Sequence, residues 1–183
     1  MMEKRHALVL LTTIFLVSCG GDEKPVDPEP AAPDHNLVGS WALVGTDIID
    51  ILAHGMADYL SDEGADQDEI DEIIKNFRAE NEKGVEGYRS TIRFNSDASW
   101  VDDMGGSGTW RVVGNTLIIV EGGKEDRVKY FVDGDDLTLI IPFELVQDYL
   151  REDEDFSQED IAVVSEIFGL DDDTQFRLFY KRR

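Results

Sequence analysis

The sequence predicts a mainly β fold, an eight-stranded up-and-down barrel with two helical insertions. Two observations carry this prediction. Short segments within residues 37–183 alternate apolar and polar side chains with the period of two that is typical of half-buried strands. Two stretches, at about residues 48–87 and 142–173, instead repeat apolar residues at helical spacing. A domain of this length can bury a substantial core.

The predicted strands are short and are separated by turn residues. They comprise residues 37–43, 88–94, 99–101, 109–113, 116–120, 127–132, 137–141 and 175–181. The first strand places Gly39 and Trp41 on one face, and the second does the same with Ile92 and Phe94. Gly114-Asn115 is typical of a two-residue hairpin turn.

Each insertion is predicted to be a helix, an acidic loop and a second helix. The first helix of each carries an apolar stripe, over residues 48–60 in one insertion and 145–150 in the other. The second helix of each begins with a pair that is typical of a capping box. The two pairs are Asp66 with Glu69 and Ser157 with Asp160.

The connection lengths predict where these insertions lie. In an up-and-down barrel, alternate connections leave from the same end. Those after the second, fourth and sixth predicted strands are short, whereas the others are longer and include both insertions. We therefore expect tight turns at one end and two helical hairpins, side by side, capping the other. Eight strands leave room for packed side chains or for one small ligand.

The N-terminal segment contains the only cysteine, Cys19, at the end of Leu-Val-Ser-Cys. Lys4 and Arg5 precede an apolar run over residues 7–17, which is shorter than the roughly 20 residues of a spanning helix. The segment resembles a bacterial lipoprotein signal peptide. This resemblance implies that residues 1–18 are removed and that Cys19 is lipidated. Two acyl chains suffice for stable anchoring.

The resemblance also implies a location. A lipidated protein of this kind is held at a membrane of the cell envelope and faces the periplasm or the cell exterior. Gly20 after the cysteine favours the outer membrane. Residues 19–36 hold four of the five prolines among charged side chains, so we expect them to form an unfolded tether. Such a chain extends about 3 Å per residue.

The net charge of −23 restricts the partners. A surface this acidic repels nucleic acid and anionic lipid headgroups and attracts cations or basic proteins. With Cys19 lipidated, the chain has no thiol left for a disulfide, a zinc site or a nucleophile.

Short motifs on the predicted strands carry a further resemblance. Gly39-Ser40-Trp41 opens the first strand, and Gly108-Thr109-Trp110 opens a later one, followed by Gly114-Asn115. With the lipoprotein signal, these motifs resemble the lipocalin-like domains of bacterial lipoproteins, in which the tryptophan of Gly-x-Trp packs at the closed end of the barrel. The resemblance covers only the strands, and the helical insertions depart from the family pattern. It implies a barrel that binds a small apolar or amphipathic ligand.

No catalytic constellation is recognisable. Of the three histidines, His6 lies in the signal peptide, His35 in the tether and His54 in a helix without a nucleophile motif nearby. We therefore predict a non-enzymatic protein with no cofactor and no transition-metal site. Calcium stays open, because acidic runs at residues 133–136, 153–155 and 171–173 offer oxygen ligands, although none has EF-hand spacing.

Two functions remain for the folded region. In the first, Trp100 and Trp110 line a ligand cavity in the barrel, and Tyr59 and Tyr149 from the helical hairpins contribute to it. In the second, the barrel is solid and the acidic hairpins dock another protein of the envelope. Trp41 is expected to be a structural residue of the core.

Overall fold

The structure, a computed structural model, describes residue 34 and residues 36–87, 90–152 and 156–183. The predictions for the signal peptide, for Cys19 and for most of the tether lie outside the described residues. So do Tyr88 and Arg89 of the second predicted strand and the acidic run at 153–155.

Eight strands and four helices make up the described chain. The strands are β1 Gly39–Thr46, β2 Thr91–Phe94, β3 Ser99–Asp102, β4 Ser107–Val113, β5 Thr116–Glu121, β6 Lys124–Asp133, β7 Asp136–Pro142 and β8 Gln175–Arg182. The helices are α1 Ile48–Asp62, α2 Gln67–Gly87, α3 Phe143–Glu152 and α4 Gln158–Phe168. The first two helices join β1 to β2, and the last two join β7 to β8.

The strands form a closed barrel in the order β1 to β8. The pairs from β1–β2 to β6–β7 are antiparallel, which confirms the predicted mainly β barrel with helices. β6 begins three residues before the prediction, at Lys124. Gly122 and Gly123 adopt positive φ angles of 57° and 94° and so form a tight turn after Glu121, which pairs directly with Lys124. The connection after β5 is therefore a two-residue turn, and the prediction of a longer connection there was wrong.

The chain divides into two compact units. Among the described residues, the barrel unit comprises residue 34, residues 36–45, 90–140 and 178–183. The helical unit comprises residues 46–87, 141–152 and 156–177.

Large side chains pack inside the barrel unit. Trp41, Phe94, Trp110, Leu117 and Leu137 are each no more than 2% exposed. The rings of Phe94 and Trp110 meet edge to face, with centroids 5.3 Å apart. The core of this unit is therefore built from its own aromatic and aliphatic groups.

Trp41 lies at the end of the barrel opposite the β5–β6 turn, with the β2–β3, β4–β5 and β6–β7 turns, and its indole nitrogen donates to the Leu37 oxygen (2.8 Å). The Arg182 guanidinium covers its ring at 4.2 Å and donates to the oxygen of Val38 (2.9 Å). Gly39 has a φ of 144°, and a Cβ there would meet the Arg182 guanidinium at 2.8 Å. The Gly-x-Trp motif thus makes room for an arginine that closes this end.

The helical unit is held together by α1, which packs against both α2 and α4, while α3 packs against α4. The two hairpins therefore lie side by side, as predicted. A Cβ at Gly55 on α1 would overlap the backbone oxygen of Phe168, so glycine permits the close approach of α1 and α4. Phe77 on α2 also reaches Phe168, with ring centroids 6.0 Å apart. Ser157 and Asp160 form the predicted capping box.

Candidate functional site

The two tryptophans predicted to line a ligand cavity are buried in the barrel unit. Trp100 is 5% exposed and Trp110 is 2% exposed. The indole nitrogen of Trp110 donates to the oxygen atoms of Ser99 (3.0 Å) and Asn95 (3.2 Å), and that of Trp100 approaches the Val120 oxygen at 3.4 Å. Both indole N–H groups are therefore engaged by the backbone of the barrel, as in structural core residues.

The two tyrosines assigned to the same site belong to the helical unit. Tyr59 lies on α1 and Tyr149 on α3, and both are half-buried. His54 on α1 is a surface residue, with 81% of its side chain exposed and Asp58 at 3.6 Å. The role of Tyr59 and Tyr149 in ligand binding or docking stays a prediction.

The acidic runs make turns and ion pairs where the structure describes them. Asp136 pairs with Lys181 (2.5 Å), and Asp135 lies 3.4 Å from Arg182. Asp171 accepts hydrogen bonds from the backbone of Asp173 and from the Thr174 hydroxyl. Within the described residues, no group of three or more histidine, cysteine or acidic side chains is arranged to hold a metal ion.

The net charge is distributed very unevenly between the two units. Residues 46–88 and 141–177, the sequence span of the helical unit, contain 25 acidic and 5 basic residues, a net charge of −20. Residues 34–45, 89–140 and 178–183 of the barrel unit contain 10 acidic and 9 basic residues, a net charge of −1. The acidity of residues 34–183 therefore lies almost entirely in the helical unit.

An open groove runs along α2 beside α1 and has a volume of about 520 Å³. Its lining, here called the α1–α2 groove, consists of Ala57, Gln67, Ile70, Asp71, Ile74, Lys75, Arg78 and Ala79. Ile70 is 4% exposed and forms the floor, whereas Ile74 is only half-buried. The groove thus offers apolar surface within a strongly acidic unit.

Helical geometry explains why these residues share one face. The α2 members recur at spacings of three and four residues, which brings them to the same side of the helix. Asp66 accepts a hydrogen bond from the Glu69 backbone (3.0 Å) and so fixes where α2 begins. Arg78 pairs with Asp50 of α1, and Gln67 donates to Asp71 (2.8 Å). These two polar contacts border the apolar floor.

The sequence did not single out this groove. The helical spacing of apolar residues within 48–87 shows which residues share a face but not how much of that face a neighbouring helix covers. The structure leaves Ile73, Ile74 and Phe77 only partly covered.

Cys19 lies outside the described residues, so its lipidation stays a prediction. Within the part of the chain that the structure describes, no helix combines the length and the apolar character needed to cross a membrane. No protein-family model, curated protein or solved structure matches this chain.

Proposed function

We propose that this protein is a membrane-anchored lipoprotein of the cell envelope and a non-enzymatic docking module for a basic protein partner. The α1–α2 groove carries the proposal, since it presents apolar surface on a unit with a net charge of −20. The lipid anchor at Cys19 rests on the resemblance of residues 1–19 to a lipoprotein signal.

The barrel serves as the scaffold in this proposal. Its interior is packed with large side chains, and the indole nitrogens of Trp41 and Trp110 bond to backbone oxygen atoms. These contacts stabilise the barrel. We therefore propose that the protein partner binds to the helical unit.

The chemistry of the groove defines the partner. Ile70 and Ile74 would contact apolar side chains, and the field of the surrounding carboxylates would attract Lys and Arg. A basic amphipathic helix carries both features, with apolar residues at helical spacing along one face. The partner we propose is therefore a protein that exposes such a helix.

Binding of defined peptides tests this proposal. We would titrate residues 20–183, which retain every residue that the structure describes, into a fluorescent leucine–lysine amphipathic helix and record anisotropy. A leucine–glutamate helix of equal length has the same apolar face and the opposite charge. We expect the lysine peptide to bind, the glutamate peptide to bind far more weakly, and added salt to weaken binding.

A pair of variants locates the binding surface. Ile74→Gln lowers the apolar surface of the groove, so we expect the lysine peptide to bind about tenfold more weakly. Val163→Gln is the matched control, because Val163 lies on α4 outside the groove and is 47% exposed. Equal losses in the two variants, or equal binding of both peptides, would refute docking at the groove.

Ligand binding inside a lipocalin-like barrel is the second candidate. The closed eight-stranded barrel and the packing of Trp41 at its tightly turned end support the resemblance to lipocalin-like domains. Native mass spectrometry of the purified protein distinguishes the candidates. A stoichiometric small molecule that is released on denaturation would favour the ligand-binding barrel, whereas the docking proposal predicts none.

A further inference from the structure

The outer wall of the barrel carries an unusual set of exposed apolar side chains. Seven large apolar residues are exposed among the described residues, and three of them, Val44, Phe131 and Phe179, lie on β1, β6 and β8. Phe131 is 63% exposed, Val44 is 60% exposed and Phe179 is 36% exposed. Single exposed apolar residues are ordinary, but a contiguous set marks a surface that meets something apolar.

The strand register brings these residues together. Phe131 lies directly opposite Thr138 of β7. The backbone hydrogen bond from the Arg182 nitrogen to the Asp135 oxygen fixes the antiparallel register of β7 and β8. In this register Asp136 lies opposite Lys181, with which it forms an ion pair, and Thr138 lies opposite Phe179. These residues therefore form one row on the outside of three neighbouring strands.

β1 neighbours β8 in the closed barrel and carries the exposed Val44. The Phe179 ring lies 3.9 Å from the position of a Cβ at Gly45, the residue after Val44. We name Val44, Phe131, Thr138 and Phe179 the apolar strip. It spans four of the eight strands of the barrel wall.

Asp34 of the tether is bound to β6, the strand that carries Phe131. The Tyr130 hydroxyl donates to the Asp34 carboxylate at 2.7 Å, and Tyr130 is the neighbour of Phe131 on β6. Residues 20–33 are all that separates Asp34 from Cys19. A proline-rich segment of this length spans at most about 40–45 Å, so a lipid on Cys19 would keep this wall within reach of the bilayer.

The charges around the strip do not oppose contact with a bilayer. The charged residues two positions from Phe131, Thr138 and Phe179 on their strands are Lys129, Asp133, Asp136, Arg177 and Lys181, a net charge of +1. The sequence span of the barrel unit carries a net charge of −1, in contrast to −20 for that of the helical unit. The repulsion of lipid headgroups expected from the whole chain thus does not arise at this wall.

We infer that the apolar strip is a membrane-contact surface, which lays the barrel on the bilayer that holds the Cys19 lipid. This inference rests on the proposed anchoring. Phenylalanine and valine enter the interfacial region, and lysine is suited to the headgroup level. The strip is a second contact beside the lipid and fixes which wall of the barrel faces the membrane.

Site-specific labels on the lipidated full-length protein test the inference. The mature chain has no free thiol once Cys19 is lipidated, so Phe131→Cys introduces a unique site for an environment-sensitive dye. The protein would be reconstituted in phosphatidylcholine vesicles. Val101→Cys is the matched control, because Val101 is 40% exposed on β3, outside the four strands of the strip.

We expect the dye at residue 131 to shift to shorter wavelengths and to be quenched by nitroxide-labelled lipid, and the dye at 101 to do neither. Equal exposure of both dyes to an aqueous quencher would overturn the inference. So would a shift at 131 that depends on protein concentration and not on lipid, which would indicate self-association. Failure of the protein to float with vesicles, with no acyl mass on Cys19, would instead refute the anchoring.

A substitution gives a second readout in the same vesicles. Phe131→Ser removes the most exposed aromatic side chain of the strip, while Thr138 and Phe179 remain. Here the dye is placed on Val44→Cys, and the variant is compared with and without Phe131→Ser. Quenching by nitroxide-labelled lipid should fall several-fold in the double variant, because the strip then partitions less strongly into the bilayer. Unchanged quenching would contradict a contact made through the strip.

Discussion

At the scale of single residues, the contact between Tyr130 and Asp34 connects the tether to the barrel. The sequence placed Asp34 in the unfolded tether, since its neighbours are prolines and charges. Its hydrogen-bond partner lies 96 positions away, and such a pair has no local sequence pattern. Arg182 over Trp41 escaped prediction for the same reason, because β8 and β1 meet only when the barrel closes.

The same contact predicts a dependence of stability on pH. Burial, and then the hydrogen bond to the Asp34 carboxylate, raise the pKa of Tyr130 from 10.0 to about 12. The unfolded chain therefore releases this proton at lower pH than the folded chain does. The stabilisation is complete below pH 10 and is lost as the pH rises towards 12.

Comparison with Tyr130→Phe isolates this effect. Below pH 10 we expect the variant to be less stable by about 1–2 kcal/mol, because the hydrogen bond to Asp34 is lost. Between pH 10 and 12 the difference in unfolding free energy should shrink. In this range Tyr130 loses its proton when the chain unfolds, which favours unfolding, whereas phenylalanine has no proton to lose. Urea unfolding of both proteins across this pH range measures the difference.

Burial also raises the pKa of Tyr180. Because Tyr180 is present in both proteins, its contribution cancels in the comparison. A difference that stays constant up to pH 12 would exclude the proposed contact.

At the scale of elements, period-two and helical patterns predicted all eight strands and both hairpins, because each pattern reports one buried face. The limits of single strands were less predictable, as at β6, where Gly122 and Gly123 extend the pairing. How the helices cross was not predictable, since the contact of Gly55 with α4 depends on residues more than one hundred positions away. The openness of the α1–α2 groove follows from that crossing.

The crossing of α1 and α4 predicts the effect of Gly55→Ala. Alanine favours an isolated helix over glycine by about 1 kcal/mol. In this protein the added Cβ would overlap the Phe168 oxygen, so we expect a net loss of about 1–3 kcal/mol in the free energy of unfolding. His54→Ala, at the exposed neighbouring position, should change stability little. Stabilisation by Gly55→Ala in urea unfolding would contradict the close approach of the two helices.

At the scale of the whole molecule, composition gave the total charge but not its distribution. The value of −23 predicted a surface that repels lipid headgroups, whereas the sequence span of the helical unit alone accounts for −20. The two units thus have different surface chemistry, one strongly acidic with an apolar groove and the other nearly neutral with an apolar strip. We propose partner docking for the first and membrane contact for the second.

The α1–α2 groove could be predicted only in part. The acidic hairpins were one of two functions the sequence allowed, but the residues of the groove were not named. Trp100 and Trp110 are buried in the barrel unit, and their role in ligand binding stays a prediction. A strand pattern marks an inward residue without saying whether the interior is filled. Side-chain volumes summed around a closed barrel decide that, and they depend on the register of all eight strands.

Hydrogen exchange of residues 20–183, with and without the leucine–lysine helix, tests the central claim most directly. We predict that exchange slows in α1 and α2, above all over residues 67–79, and is unchanged in β3, β4 and β5 around Trp100 and Trp110. Slower exchange confined to those strands, or no protection anywhere in the chain, would contradict docking at the α1–α2 groove.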